Sequence, residues 1–129
     1  MTELREASLL VKANLALRLI LEMAMFAAYA AAPIFALASD SRWVLAVIAP
    51  LAAISTWGIF ATPNDPSRSG KTVVPTPGPV RLLLELGLFS GGVAVLFWAD
   101  AWEFAAALAA GVIVHYVAWP YRIRWMFSH

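Results

Sequence analysis

Four apolar stretches occupy most of the 129-residue chain, running roughly over residues 13–38, 43–61, 80–99 and 101–121. Each is near the ~20 residues that a helix needs to cross a bilayer. Backbone polar groups in hydrocarbon have to be paired within their own segment, so an open-ended apolar run of this length is helical if it spans. A β-barrel would alternate apolar and polar residues along each strand, and these runs are solid. The pattern reads as an all-α membrane protein with four transmembrane helices. Composition points the same way. Only 13% of residues are charged, against about 25% in a typical soluble domain, and a chain this small would lack the polar side chains to cover itself in water. With no cysteine and a net charge of +1, disulfide frameworks, thiolate nucleophiles and a strongly basic nucleic-acid surface are excluded.

The breaks between the stretches set the domain organisation. Ser39-Asp40-Ser41-Arg42 and Asp100-Ala101-Trp102-Glu103 read as hairpin turns, the first offering capping side chains and the second the spacing of a capping box. The segment from Thr62 to Pro79 is different, with five prolines in eighteen residues, and reads as an extended, solvated linker. The expected division is therefore a first helical hairpin at 1–61, a linker at 62–79 and a second hairpin at 80–129. Eight of the nine Lys and Arg residues fall on the side holding both termini and the linker, leaving Arg42 on the other. The excess of cations marks the cytoplasmic side, so both termini are expected there. Trp43, Trp98 and Trp102 fall at the outer interface and Trp57, Trp119 and Trp125 at the inner one. Glu3 and Glu6 argue against a cleavable signal, and Leu4, Leu9, Leu10 and Val11 beside Arg5 and Lys12 suggest an interfacial helical start. Pro33 and Pro50 are expected to kink the first two spans.

An internal repeat underlies the two hairpins. The stretch Leu17-Arg18-Leu19-Ile20-Leu21-Glu22-Met23-Ala24-Met25-Phe26 aligns without gaps on Val80-Arg81-Leu82-Leu83-Leu84-Glu85-Leu86-Gly87-Leu88-Phe89, with Arg, Glu and Phe identical. Both copies enter from the same side, so the repeats are parallel. In each, Arg-x-x-x-Glu places both charges on one helix face with the carboxylate a turn deeper. An unpaired charge at mid-bilayer costs at least about 2.5 kcal/mol, so Glu22 and Glu85 have to be paired, protonated or turned inward, while Arg18 and Arg81 can reach back toward headgroups. Ser55, Thr56 and His115 lie at the same depth by counting from the cytoplasmic ends of spans two and four. Together these residues form a polar layer in which Glu85 is placed to meet His115. The structural use of that layer is to fix helix depth and rotation; the functional use is a proton relay. For close helix packing, Gly87-x-x-x-Gly91 and its counterpart Ala24-x-x-x-Ala28 offer small-residue faces.

Two motifs fail on spacing. Ser69-Gly70-Lys71-Thr72 ends like a phosphate-binding loop but lacks the leading glycine, which is Asp65 here, and no strand precedes it. Arg68 and Lys71 are instead expected to touch anionic headgroups. No Ser/His/Asp set and no metal-ligand spacing is present, so no catalytic residue, metal or cofactor is expected.

Taken in order, Asn14 with Leu17-Arg18-x-x-x-Glu22, Trp57-Gly58-x-Phe60-x-x-Pro63, Arg81-Leu82-x-x-Glu85-x-x-x-Phe89 and Tyr121-Arg122-Ile123-Arg124-Trp125 resemble the YrdB-like family of small bacterial membrane proteins. The Trp119-Pro120 step before Tyr121 departs from that pattern. The resemblance implies four spans and a bacterial inner membrane, and it carries no activity, since the family is one of unknown function. The expectation is a non-enzymatic membrane subunit or modulator whose Arg/Glu pairs organise the bundle, with the lipid bilayer and a homo-oligomer or membrane-protein partner as its contacts. The alternative is a proton-linked permeation unit using Glu22, Glu85 and His115. A lipid hydrolase or transferase ranks behind both.

Overall fold

Helix begins almost at the N-terminus and does not pause at the expected membrane boundary. In the computed structural model, which describes residues 2–68 and 71–129 with the side chains of Glu3, Leu4 and Ala7 aside, α1 runs unbroken over Thr2–Ala36. The interfacial start and the first span are thus one helix, rich in the Ala, Leu and Met that favour it. It contains Pro33, just as α2, Ser41–Ile59, contains Pro50. Helix α3 follows at Gly78–Trp98, α4 at Trp102–Ala118 and α5 at Pro120–Phe127.

The two tight turns form without the expected side-chain caps. Asp40 precedes α2 but makes no cap bond, and the Ser39 and Ser41 hydroxyls bond each other at 2.5 Å. Asp100 takes a left-handed backbone, φ 58°, and serves the end of α3 rather than the start of α4. Its N–H donates to Phe97 O at 3.0 Å and that of Ala101 to Leu96 O at 2.8 Å, the paired bonds of a Schellman closure. Ala101 then precedes α4 with no side-chain cap. Helix α4 also ends earlier than the hydropathy of the expected fourth span suggests. Proline disfavours the helical conformation in the residue before it; Trp119 has φ −133° and ψ 65°, and Pro120 opens α5 at 73° to α4.

The linker is not an extended solvated chain. Strands Phe60–Ala61 (β1) and Val74–Pro75 (β2) pair in parallel, and Thr76 N–H donates to Ala61 O at 2.8 Å. Thr62, Asp65 and Thr76 are buried. Of the phosphate-loop-like tail, Ser69 and Gly70 lie outside the described residues, as do the side chains of Glu3 and Leu4.

Helix α1 is central, packing on α2, α3 and α4, while α3 also meets α4 and α5. Arg18 lies beside Glu85, and Met25 beside Gly92, so α1 and α3 run in the same direction. Leu21 lies beside Gly111 and Asn14 beside His115, so α4 runs opposite to α1. The core holds Leu21, Met25, Trp57, Phe89, Leu108, Tyr116 and Met126. Large apolar side chains also cover the outside, among them Val44, Ile48, Leu51, Phe104 and Val117. Three helices, at Ser8–Ala36, Ser41–Ile59 and Gly78–Trp98, are long and apolar enough to cross a membrane, and α4 with α5 makes a fourth if that bent pair is one span.

The small-residue faces are used only in part. Ala28 is buried, but Ala24 and Gly87 are exposed. A side chain at Gly91 would collide with the Tyr29 hydroxyl, which donates to Leu88 O at 2.6 Å. Gly92 is buried, set against Met25 and Leu108. The close approach of α1 and α3 therefore falls at Gly91 and Gly92.

Candidate functional site: a buried charge cluster

At the end of the bundle where α2 stops and α3 starts, the polar side chains converge on Glu85. Its side chain has no exposure to solvent. Oε1 accepts from the Tyr116 hydroxyl at 2.8 Å and lies 3.0 Å from Arg18 Nη2; Oε2 accepts from Arg81 Nε at 3.1 Å and Arg122 Nη2 at 2.6 Å. Helices α1, α3, α4 and α5 each supply one of these partners. Arg18 also lies 3.2 Å from Glu22. Arg18 meets both carboxylates off its donor directions, so these contacts are ion pairs without the added strength of aligned hydrogen bonds.

Each guanidinium is held from a second side. Arg81 Nη1 donates to the carbonyls of Trp57 at 2.6 Å and Phe60 at 2.5 Å, oxygens left free where α2 ends. The Trp57 ring faces both Arg81, 4.6 Å away, and Arg18, 5.2 Å away, a cation–π arrangement. Arg122 forks onto Asp65 with contacts of 2.8 and 3.1 Å, the bidentate geometry arginine favours. Asp65 lies in the linker and also accepts from Ser67 N and Oγ. Burial alone would raise its pKa, but the Arg122 fork and the Ser67 bonds overcome that and hold it at about 2, from an ordinary 3.8.

His115 is placed differently from expectation. It does not meet Glu85; its neighbour Tyr116 does. Arg18 Nη1 lies 3.2 Å from His115 Nε2, and Asn14 Oδ1 lies 3.1 Å from Nδ1. Arginine only donates, so Nε2 accepts and Nδ1–H donates to Asn14, which defines a neutral imidazole. Asn14 Nδ2 in turn donates to His115 O at 3.4 Å.

Helix α2 and the residue after it contribute carbonyls in place of hydroxyls. Ser55 is exposed, and Thr56 donates to Ala52 O at 2.8 Å within its own helix. Of the expected layer, Arg18, Glu22, Arg81, Glu85 and His115 come together, and Ser55 and Thr56 stay out. Arg18 and Arg81 are buried and turn to Glu85 rather than outward to headgroups. Trp57 is likewise buried between them and is not an interfacial residue. Tyr116, Asp65 and Arg122 belong to this site although nothing in the sequence pattern places them there. In the sequence Arg122 counts as an orienting charge and Asp65 falls within a solvated linker; neither pattern announces a partner 57 positions away.

Three guanidiniums, Arg18, Arg81 and Arg122, thus face three carboxylates, Glu22, Asp65 and Glu85. Among the described residues, no group of three or more His, Asp or Glu is placed to hold a metal ion.

Apolar outer faces together with a charge-balanced polar cluster at one end define a helical protein suited to a membrane. The chain belongs to the family described as protein of unknown function (DUF2568), which it matches over residues 16–114. It is 33% identical over 115 residues to the uncharacterized protein YrdB of Bacillus subtilis (strain 168), an alignment covering 89% of this chain and 94% of that relative. No solved structure matches. The family match takes in Arg18, Glu22, Trp57, Asp65, Arg81 and Glu85 and stops one residue short of His115.

Proposed function

We propose that this is a four-span protein of the bacterial inner membrane, built from two parallel hairpins of one duplicated unit with both termini and the linker cytoplasmic. It serves without catalysis of its own, as a subunit or modulator of a membrane complex. The observation that carries this reading is the closure of Glu85. Its two oxygens meet three guanidiniums and a hydroxyl, with no solvent exposure, so the cluster is filled by the chain's own groups, as a structural lock requires. The matched Arg/Glu pairs of the two hairpins meet within it, since Arg18 of the first contacts Glu85 of the second.

The test is affinity purification of the tagged full chain from native membranes, with Glu85→Gln alongside. Co-purification of one defined membrane protein, lost when the lock is broken, supports the reading; recovery of the chain alone at all expression levels overturns the subunit role. A second reading, proton-linked permeation, rests on Glu22, which keeps 18% side-chain exposure. With Arg18, Pro66, Ser67 and Arg68 it lines a cavity of about 380 Å³. That reading requires protein in liposomes to dissipate a pH gradient and Glu22→Gln to stop it.

A further inference from the structure

The charge cluster leaves a second polar site beside it that the lock does not use. A cavity of about 460 Å³ opens in the linker, lined by Thr62, Asn64, Asp65, Arg68, Lys71 and Thr72 among others. Two of these carry positive charge. The carboxylate of Asp65 is already engaged by Arg122 and Ser67, so it adds little repulsion toward an incoming anion. Thr62 is the unusual member. It is 2% exposed, it lines the cavity, and its Oγ1 has no hydrogen-bond partner among the described residues. A buried hydroxyl left unpaired costs free energy that a bound acceptor would recover.

We propose that this cavity binds a phosphate group, with Arg68 and Lys71 supplying the charge and the Thr62 hydroxyl, closed to solvent in this structure, a donor once its side chain rotates toward the ligand. Arginine and lysine together give a planar fork and a compact point charge, the pairing phosphate oxygens favour. The position adds a source for the ligand. Arg68 donates to the carbonyls of Trp57 and Gly58, at 3.4 and 3.3 Å, at the end of α2. On the topology proposed above, on which this inference rests, that end lies at the cytoplasmic headgroups, where acidic phospholipids present phosphate. A soluble phosphoester carries the same group.

The experiment is native mass spectrometry of the full chain released from detergent, titrated with short-chain phosphatidic acid, short-chain phosphatidylcholine and inorganic phosphate. The expected result is saturable binding of phosphatidic acid well above phosphatidylcholine. Thr62→Val should weaken it about tenfold, the equivalent of one charge-assisted hydrogen bond, and Thr62→Ser should restore it. Saturable binding of inorganic phosphate with the same dependence on Thr62 also supports the site and assigns it to a soluble ligand. Equal binding by wild type and Thr62→Val, with only Arg68→Gln and Lys71→Gln reducing it, overturns the proposal, since that is the signature of general surface attraction. Absence of saturable binding overturns it as well. A C-terminal reporter separates the two ideas: a periplasmic C-terminus removes the topology, whereas lost phosphate binding with a cytoplasmic C-terminus removes only this site.

Discussion

A guanidinium taken out of water without a partner carries a desolvation cost of several kcal/mol, and the same holds for a carboxylate. Glu85 is the point at which three such costs are offset together, by Arg18, Arg81 and Arg122. Replacing it by Gln leaves the side-chain shape but removes the charge all three share. Glu85→Gln is expected to destabilise the protein by about 3–5 kcal/mol, the range for breaking a buried pair from one side. Glu22 forms its ion pair with Arg18 and is partly open to solvent, so Glu22→Gln is expected to lose about 1 kcal/mol or less. Denaturant-dependent unfolding in detergent, compared for the two variants, checks the ordering; equal losses would mean that Glu85 is not the shared partner. Tyr116→Phe removes one hydroxyl donor from Oε1 while Arg18 remains, and about 1 kcal/mol is expected from that loss.

At the level of elements, α5 and the linker are fastened to the bundle by a few contacts. One is the Arg122–Asp65 fork. Another is the approach of α5 to the start of α3, where a side chain on Gly78 would collide with the Met126 carbonyl. Asp65→Asn and Gly78→Ala are each expected to release this end, and because both act on one docking event their effects should fall short of additive. Trypsin reports it directly, since Arg68 and Lys71 lie in the linker: cleavage there should quicken in each variant. Acid should release this end as well. Asp65 has a folded-state pKa of about 2 against an ordinary 3.8, so its contribution of about 2 kcal/mol is complete above the ordinary value and lost as pH falls toward the folded one. Trypsin does not act in that acid window, so denaturant-dependent unfolding is the readout there: the stability difference between wild type and Asp65→Asn should narrow as pH falls through it, and a constant difference would refute the link. These fastenings were the part hardest to read in the sequence. Apolar runs reveal helices α1, α2 and α3 because the length and hydropathy that suit a membrane crossing are properties of a whole segment. The Arg-x-x-x-Glu spacing reveals two ion pairs because helix geometry is local. The contact between Arg122 and Asp65 depends instead on how α4 breaks before Pro120 and how the linker folds back, and neither follows from spacing.

For the molecule as a whole, burial changes the argument about orientation. Counting all cations sets eight Lys and Arg against Arg42, but Arg18, Arg81 and Arg122 are buried and paired with carboxylates. A neutralised pair inside the bundle contributes little to the charge that opposes translocation of a loop, so five of the eight remain: Arg5, Lys12, Arg68, Lys71 and Arg124. The bias keeps its direction and loses part of its strength. A reporter active only in the cytoplasm, fused after His129, is therefore expected to be active, and single replacements of Arg18 or Arg81 by Gln should leave that activity in place even where they lower stability. The five remaining cations act cumulatively. Removing Lys12, Arg68 and Lys71 together, while adding two lysines to the Ser39–Ser41 turn, should produce a mixed population in which some chains carry the C-terminus outside. A fully cytoplasmic reporter in that variant would mean that the buried arginines orient the chain before they pair, during insertion, when Glu85 has not yet reached them.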